Sequence, residues 1–350
     1  MSVPNSKSMS TNVPDAAMRS SVIDPSQWWL EQSRRVTWVT EPTQGFRWRT
    51  SIDGWFGDGT LNGSFSCTDI HVIEERRERV AFHWIGDRAD DTRTITYFEL
   101  HVMINHATNA LIELGVKPLD RVAVCSPSIP EAIVAMLAIT RLGATHVVIN
   151  ANVTAETIAT RLNDAHCTLA VVADGSYRGD VAYPLKSVID DALKECPSVT
   201  SVLVVRRTGE PVEWVEGRDH WWHDTVDSQS DSHWCDPFPS EQPFFVLYPA
   251  SGNVSQPITR TTGGYLTQAA TAYATLMRAS FDDAVMWTAA ELDELAGHSY
   301  IVYGPLINGA TQLLFEGSPD SWGNERWSGV IDQHDATVVY VDGSTICGTN

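Results

Sequence analysis

The alternation of apolar strand runs with amphipathic helical stretches, from Thr96 to Val205, narrows the folds open to this chain more than any other feature. Thr96 and Glu99 make a capping box that opens a long helix to Leu114, which Gly115 ends and Pro118 stops. The pattern then predicts strand 121–125, helix 130–142, strand 145–149, helix 155–165, strand 169–173, helix 186–194 and strand 201–205. After a Trp-, His- and Asp-rich, helix-poor connector (210–242), the series resumes. It predicts helix 265–277, strand 285–288, helix 299–307, strand 311–315, helix 322–333 and strand 337–341. Alternating units of this length imply an α/β fold of parallel sheets flanked by helices. Ligands of such sheets bind beyond the carboxyl ends of the strands.

Ahead of this series, residues 1–24 are polar, contain Pro4 and Pro14, and are predicted to form a disordered tail. Residues 25–69 are aromatic and punctuated by glycine, and read as an irregular arm packed onto the main domain. A short helical pattern over 71–77 and an alternating strand over 80–84 follow.

Charge limits the partners. The chain carries a net −20, and from Glu195 onward 21 acidic residues face 6 arginines and no lysine, a local −15. That argues against nucleic acid or an anionic membrane as partner. A solvated acidic surface is the ordinary explanation. Six separated cysteines, with no CxxC pair, read as small core residues in a reducing, cytoplasmic compartment. No signal-peptide pattern and no run of 18 apolar residues is present, so no membrane span is expected.

The segment from Phe244 to Tyr265 reads as a strand feeding a loop, and such loops can cradle phosphates with converging N–H groups. Only Ser251, Gly252, Ser255 and Thr259 remain of the residues that chemistry uses, and lysine is missing. The loop reads as a nucleotide site without its chemistry. His220, His223, His233 and Cys235 do not have the spacing of a familiar zinc site. Ser299 and Ser344 have no base partner visible in sequence, and no GxGxxG follows a strand.

The segments WFGDGTLN, RTITYFEL, IPEAIVAMLA, GRDHWWHD, TTGGYL and GHSYIVYGPLINGATQLLFEG resemble the AMP-forming acetyl-CoA synthetases, adenylate-forming ligases. The resemblance runs from about Trp28 to about Tyr340. It implies the N-terminal part of the adenylate-forming ligase fold: the family's N-terminal region over 25–69 and a partial AMP-binding domain over 70–350. The C-terminal domain with its catalytic lysine is expected to lie outside this chain. It also implies a reaction of acetate, ATP and coenzyme A to acetyl-CoA, AMP and pyrophosphate, with Mg²⁺.

Residue by residue, the resemblance is incomplete at the sites. The family's YTSGSTGKPKG stands here as Tyr248-Pro-Ala-Ser-Gly-Asn-Val-Ser-Gln-Pro-Ile, without either lysine. Glu294 occupies the position of the tryptophan that floors the acetate pocket, and a carboxylate in a dry pocket is costly. Ala296 replaces a threonine that contacts coenzyme A, and Asp320 replaces an asparagine that does so. Of an Arg-Gly-Gly-Arg for coenzyme A phosphates, Arg178 survives, with Gly, Asp and Val181 after it. YTAPT becomes Tyr340-Val-Asp-Gly-Ser344, while His298 and Tyr300 are kept. The expectation is a pseudoenzyme that performs neither half-reaction at an ordinary rate. The alternative is a ligase that needs a separately encoded C-terminal half. The last strand, short of the neighbours that cover it in the family, is expected to drive self-association.

Overall fold

The computed structural model describes residues 24–46, 54–88, 91–178, 181–249, 256–277, 284–317 and 324–341. Among these, the strands build two large sheets. The larger has seven strands in the order Asp219–Trp221, Ser201–Val205, Leu169–Ala173, Arg121–Cys125, Thr145–Val148, Pro243–Leu247 and Ile258–Thr261. The first six run parallel, and Ile258–Thr261 closes the edge antiparallel to Pro243–Leu247.

Side chains alternate across a strand, so successive residues serve different helices. Val122 and Val124 join Leu100 of helix Tyr97–Glu113 and Ile133 of helix Pro130–Arg141 in one core. Ala123 and Cys125 face the other way, into a core with Ile158 of helix Ala155–Asp164 and Ile189 of helix Leu185–Leu193. Burial on both faces explains why these strands read as continuous apolar runs.

The second sheet has the order Ala336–Val341, Val285–Ala289, Thr311–Phe315, Val80–Ile85 and Thr92–Thr96. Its pairs are parallel except the last, which is antiparallel. The expected parallel sheets flanked by helices are present, with an antiparallel strand at one edge of each.

The aromatic arm holds more regular structure than its composition indicated. Helix Pro25–Gln32 begins with Pro25 at its first turn and with the Asp24 carboxylate accepting the Gln27 N–H at 3.0 Å. Trp29 then meets Trp55 edge-on at 5.6 Å. A three-stranded sheet of Trp38–Thr40, Thr60–Leu61 and Phe238–Pro239 ties the connector to the arm.

The Gly-Gly of TTGGY belongs to this joint. A Cβ on Gly263 would lie 2.0 Å from Ser240 Oγ, and one on Gly264 2.8 Å from Trp55 Cβ. The two glycines let helix Thr262–Leu276 approach the arm. The disordered tail predicted over 1–24 lies outside the described residues but for Asp24. Among the described residues, no helix is long and apolar enough to cross a membrane.

Candidate functional site

Parallel strands deliver their following loops to one end, and there the two sheets enclose a cavity of about 400 Å³. Ser126 follows strand Arg121–Cys125, Asn150 follows Thr145–Val148, Glu291 follows Val285–Ala289, and Glu316 follows Thr311–Phe315. Four acidic residues line the cavity, Asp87, Glu291, Asp293 and Glu316, against one basic residue, Arg178.

Glu316 is neutralised from outside. Arg207 donates to its two carboxylate oxygens at 2.7 and 2.6 Å, and to Asp91 at 2.8 Å. Burial works against the Arg207 charge, but the bonds to Glu316 and Asp91 outweigh it and hold the guanidinium more firmly protonated than usual. The pair joins the loop after Ser201–Val205 in the large sheet to the end of Thr311–Phe315 in the small one.

Among the described residues, no cation is bonded to Glu291 or Asp293. Burial pushes the Glu291 carboxyl up to about 7, with help from the Asp293 and Glu294 charges. Burial also raises Asp293, against the Asn150 amide that donates to it at 3.2 Å. Asn150 is itself oriented by the Asn152 N–H, which it accepts at 2.7 Å.

Arg178 sits at the cavity edge on a short hairpin of Ser176–Arg178 with Val181–Tyr183. It donates to Asn152 Oδ1 at 2.9 Å and lies 3.9 Å from the Tyr183 ring centroid. Arg178 is an exposed residue, and these two contacts engage its guanidinium.

Glu294 departs from the dry pocket that the resemblance implied. It is exposed, caps the one-turn helix Leu295–Gly297, and accepts the Glu291 N–H at 3.4 Å. The desolvated carboxylate is Glu291, three residues earlier, and it is the residue that sequence reasoning missed. The run of three acids in ELDEL was the available signal. Ala296 is half-buried in the one-turn helix and does not line the cavity. Ser251, Gly252, Ser255 and Asp320 lie outside the described residues.

His298, first residue of the π-helix His298–Tyr303, is buried beneath the Phe245 ring at 4.4 Å. Its ring stacks on His146 at 5.4 Å, and His146 Nε2 lies 3.1 Å from the Tyr303 hydroxyl. Burial brings His298 down to about 4, so it stands here as a neutral packing residue. The Tyr300 ring lies tilted against Tyr340, with centroids 4.7 Å apart.

A model of the AMP-binding enzymes matches residues 71–344. The chain belongs to that family. The acetyl-coenzyme A synthetase N-terminus matches residues 15–67 of this AMP-binding family member. It is 43% identical over 340 residues to an acetyl-coenzyme A synthetase of Streptomyces avermitilis, covering 96% of this chain and 52% of the relative. The Streptomyces coelicolor protein of that name is 42% identical with the same coverage. The Mycolicibacterium smegmatis protein is 42% identical over 320 residues, 91% of this chain and 34% of the relative. The chain spans about half the length, or less, of these curated relatives.

Proposed function

We propose that the chain is an acetyl-CoA synthetase-like protein whose own residues support neither acetate adenylation nor acetyl transfer to coenzyme A at an ordinary rate. The observation that carries this reading is the charge around the cavity. ATP, AMP and coenzyme A are polyanions, and transferring phosphates need cations and N–H donors aimed at them. Four carboxylates against one engaged arginine do not fit those groups. The loop sequence from Tyr248 to Ile258, which holds no lysine or arginine, supports the same conclusion.

The test is acetate-dependent ATP–pyrophosphate exchange with Mg²⁺, expected at the level of the acetate-free control. Exchange clearly above that control would overturn the reading. A second reading is favoured by the continuous identity over 96% of the chain against half of the relative's length. In it, the C-terminal half of the relative, which the match does not span, completes an acetate–CoA ligase. Acetyl-CoA formation on mixing this chain with the C-terminal half of the Streptomyces avermitilis relative would establish it.

Two further parts belong to the proposal. Four of the five free thiols among the described residues are buried, which suits a cytoplasmic location. Strand Ala336–Val341 lies at a sheet edge with Val339 41% exposed, which suits pairing with a second copy. Sedimentation at tens of micromolar, an order-of-magnitude choice, is expected to show dimers or larger species. A clean monomer would remove the self-association.

A further inference from the structure

We propose that a pocket between the aromatic arm and the edge of the larger sheet takes a small aryl carboxylate, a monoanion of one or two rings. The pocket holds about 250 Å³ and shares no residue with the cavity between the two sheets. Helix Pro25–Gln32 brings Trp29 to it, the arm brings Trp55, edge strand Ile258–Thr261 brings Arg260, and helix Thr262–Leu276 brings Tyr265 and Gln268. Charge is the first argument. Among the described residues, Arg260 is the one charged side chain in this lining, and it has no ion pair or hydrogen bond there. Glu241, which accepts the Trp55 N–H at 2.6 Å, stays outside the lining. Burial raises the Tyr265 hydroxyl, and the Ser299 bond and the Arg260 charge act against that rise, so the guanidinium is within electrostatic reach of the ring. A guanidinium meets a carboxylate through two parallel N–H bonds, and one free positive charge answers one negative charge rather than a polyanion.

The second argument is the aromatic wall, which is independent of charge. Trp29 meets Trp55 edge-on, Phe46 packs on Trp55 at 4.8 Å, and Phe245 braces Tyr265 edge-on at 4.7 Å. The Tyr265 hydroxyl is fixed by Ser299 at 2.7 Å. Rings held from behind form a slot that costs little to organise when a flat ligand enters. Trp29 and Trp55 are only half-buried, and their indole N–H groups have no acceptor among the described residues. Trp38 and Trp84 differ, donating to the Ser33 and Ser128 carbonyls at 2.8 and 3.1 Å. Open aromatic faces beside unused N–H donors receive a ring and an anion together. Size sets the limit at one or two rings, since the pocket falls just below the range of drug-sized sites, about 300–1,000 Å³.

The experiment titrates the purified chain with benzoate and with indole-3-acetate, by calorimetry and by saturation-transfer NMR on the ligand. Benzamide, benzylamine, acetate and inorganic phosphate are run beside them. Expected is saturable one-site binding of at least one aryl carboxylate, at least tenfold tighter than any of the four controls. Arg260→Gln, at an exposed position that the fold does not use, should weaken that binding at least tenfold, and Trp29→Leu should weaken it as well. Arg77→Gln, at an exposed arginine outside the pocket, should leave it unchanged. Absence of saturable binding by both carboxylates, or undiminished binding by Arg260→Gln, would overturn the proposal. Equal binding of benzamide or benzylamine would overturn the anionic class, equal binding of acetate the aromatic one, and tighter binding of phosphate the monoanionic one. Pyrophosphate exchange, which decides the catalytic reading, can fail or succeed without altering this titration.

Discussion

At Glu291 the folded chain holds a proton that the unfolded chain releases, because burial and two neighbouring acids raise the carboxyl to about 7 from 4.5. Its contribution to stability is full below about pH 4.5 and is lost as pH rises through 7. Glu291→Gln should therefore stabilise the protein at pH 8 by up to about 3 kcal/mol and by much less at pH 4.5. Urea melts at the two pH values check this, and equal effects at both would sink it. The contrast with Glu294 shows what one chain of letters hides. Both residues are acids in one short segment, and only the turn after strand Val285–Ala289 decides which of them is withdrawn from water. A buried pair behaves differently from a buried single charge. Arg141 grips Asp69 through two bonds of 2.7 and 2.8 Å and, with His101 nearby, holds that carboxyl well below its usual range against the cost of burial. Arg141→Met strips Asp69 of its cation and should cost about 3–5 kcal/mol, read from the shift in the urea midpoint.

Among the elements, helix Tyr97–Glu113 was readable because its signal is local. Thr96 and Glu99 exchange the expected capping bonds, with the Thr96 hydroxyl accepting at 3.2 Å and the Glu99 carboxylate accepting at 2.8 Å. Thr96→Ala should cost about 1 kcal/mol, measured by chemical denaturation. Strands Arg121–Cys125, Leu169–Ala173, Ser201–Val205 and Thr311–Phe315 were equally legible, being apolar runs set between helices. Strand Ile258–Thr261 was not, because it is an edge strand, mostly exposed and polar. The three-residue strands of the 176–183 hairpin are too short to show a period. Pairing order was also beyond the sequence pattern. Val80–Ile85 joins Thr311–Phe315 across more than two hundred residues, and no local pattern encodes that contact. The cavity inherits this limit, since its carboxylates reach it from distant strands. The Arg207 tie between the sheets follows from the same geometry. With Glu316 only 1% exposed, Arg207→Met should cost about 3–5 kcal/mol. It should also separate the melting of the two sheets, which hydrogen exchange read on peptides covering strands Leu169–Ala173 and Val285–Ala289 can resolve.

For the whole molecule, acid is the sensitive direction. Burial brings His71 and His298 down to about 4, and holds His146 well below its ordinary value with the help of His298. The unfolded chain takes up these protons first as pH falls. Stability is thus full above about pH 6.5 and drops by about 1.4 kcal/mol per pH unit for each histidine down to about pH 4. Proton uptake by folded Glu291 opposes one of the three between about pH 7 and 4.5. The net slope is on the order of 3 kcal/mol per unit and sums to about 6 kcal/mol by pH 4, comparable with the whole stability of a marginal domain. Circular dichroism across pH 7 to 4 checks this, and a native spectrum at pH 4 would refute it.

Only four lysines occur in the chain, and their placement gives it an uneven chemical reactivity. Lys117 is exposed and Lys194 is 72% exposed at its side chain. Lys186 is sealed, bonded to Asp190 at 2.8 Å and to Asp219 at 2.9 Å with no exposed side-chain surface. An acylating reagent should therefore modify Lys117 and Lys194 in the native protein and leave Lys186 free until helix Leu185–Leu193 opens. Peptide mass spectrometry over a time course would then turn one amine into a clock for that opening.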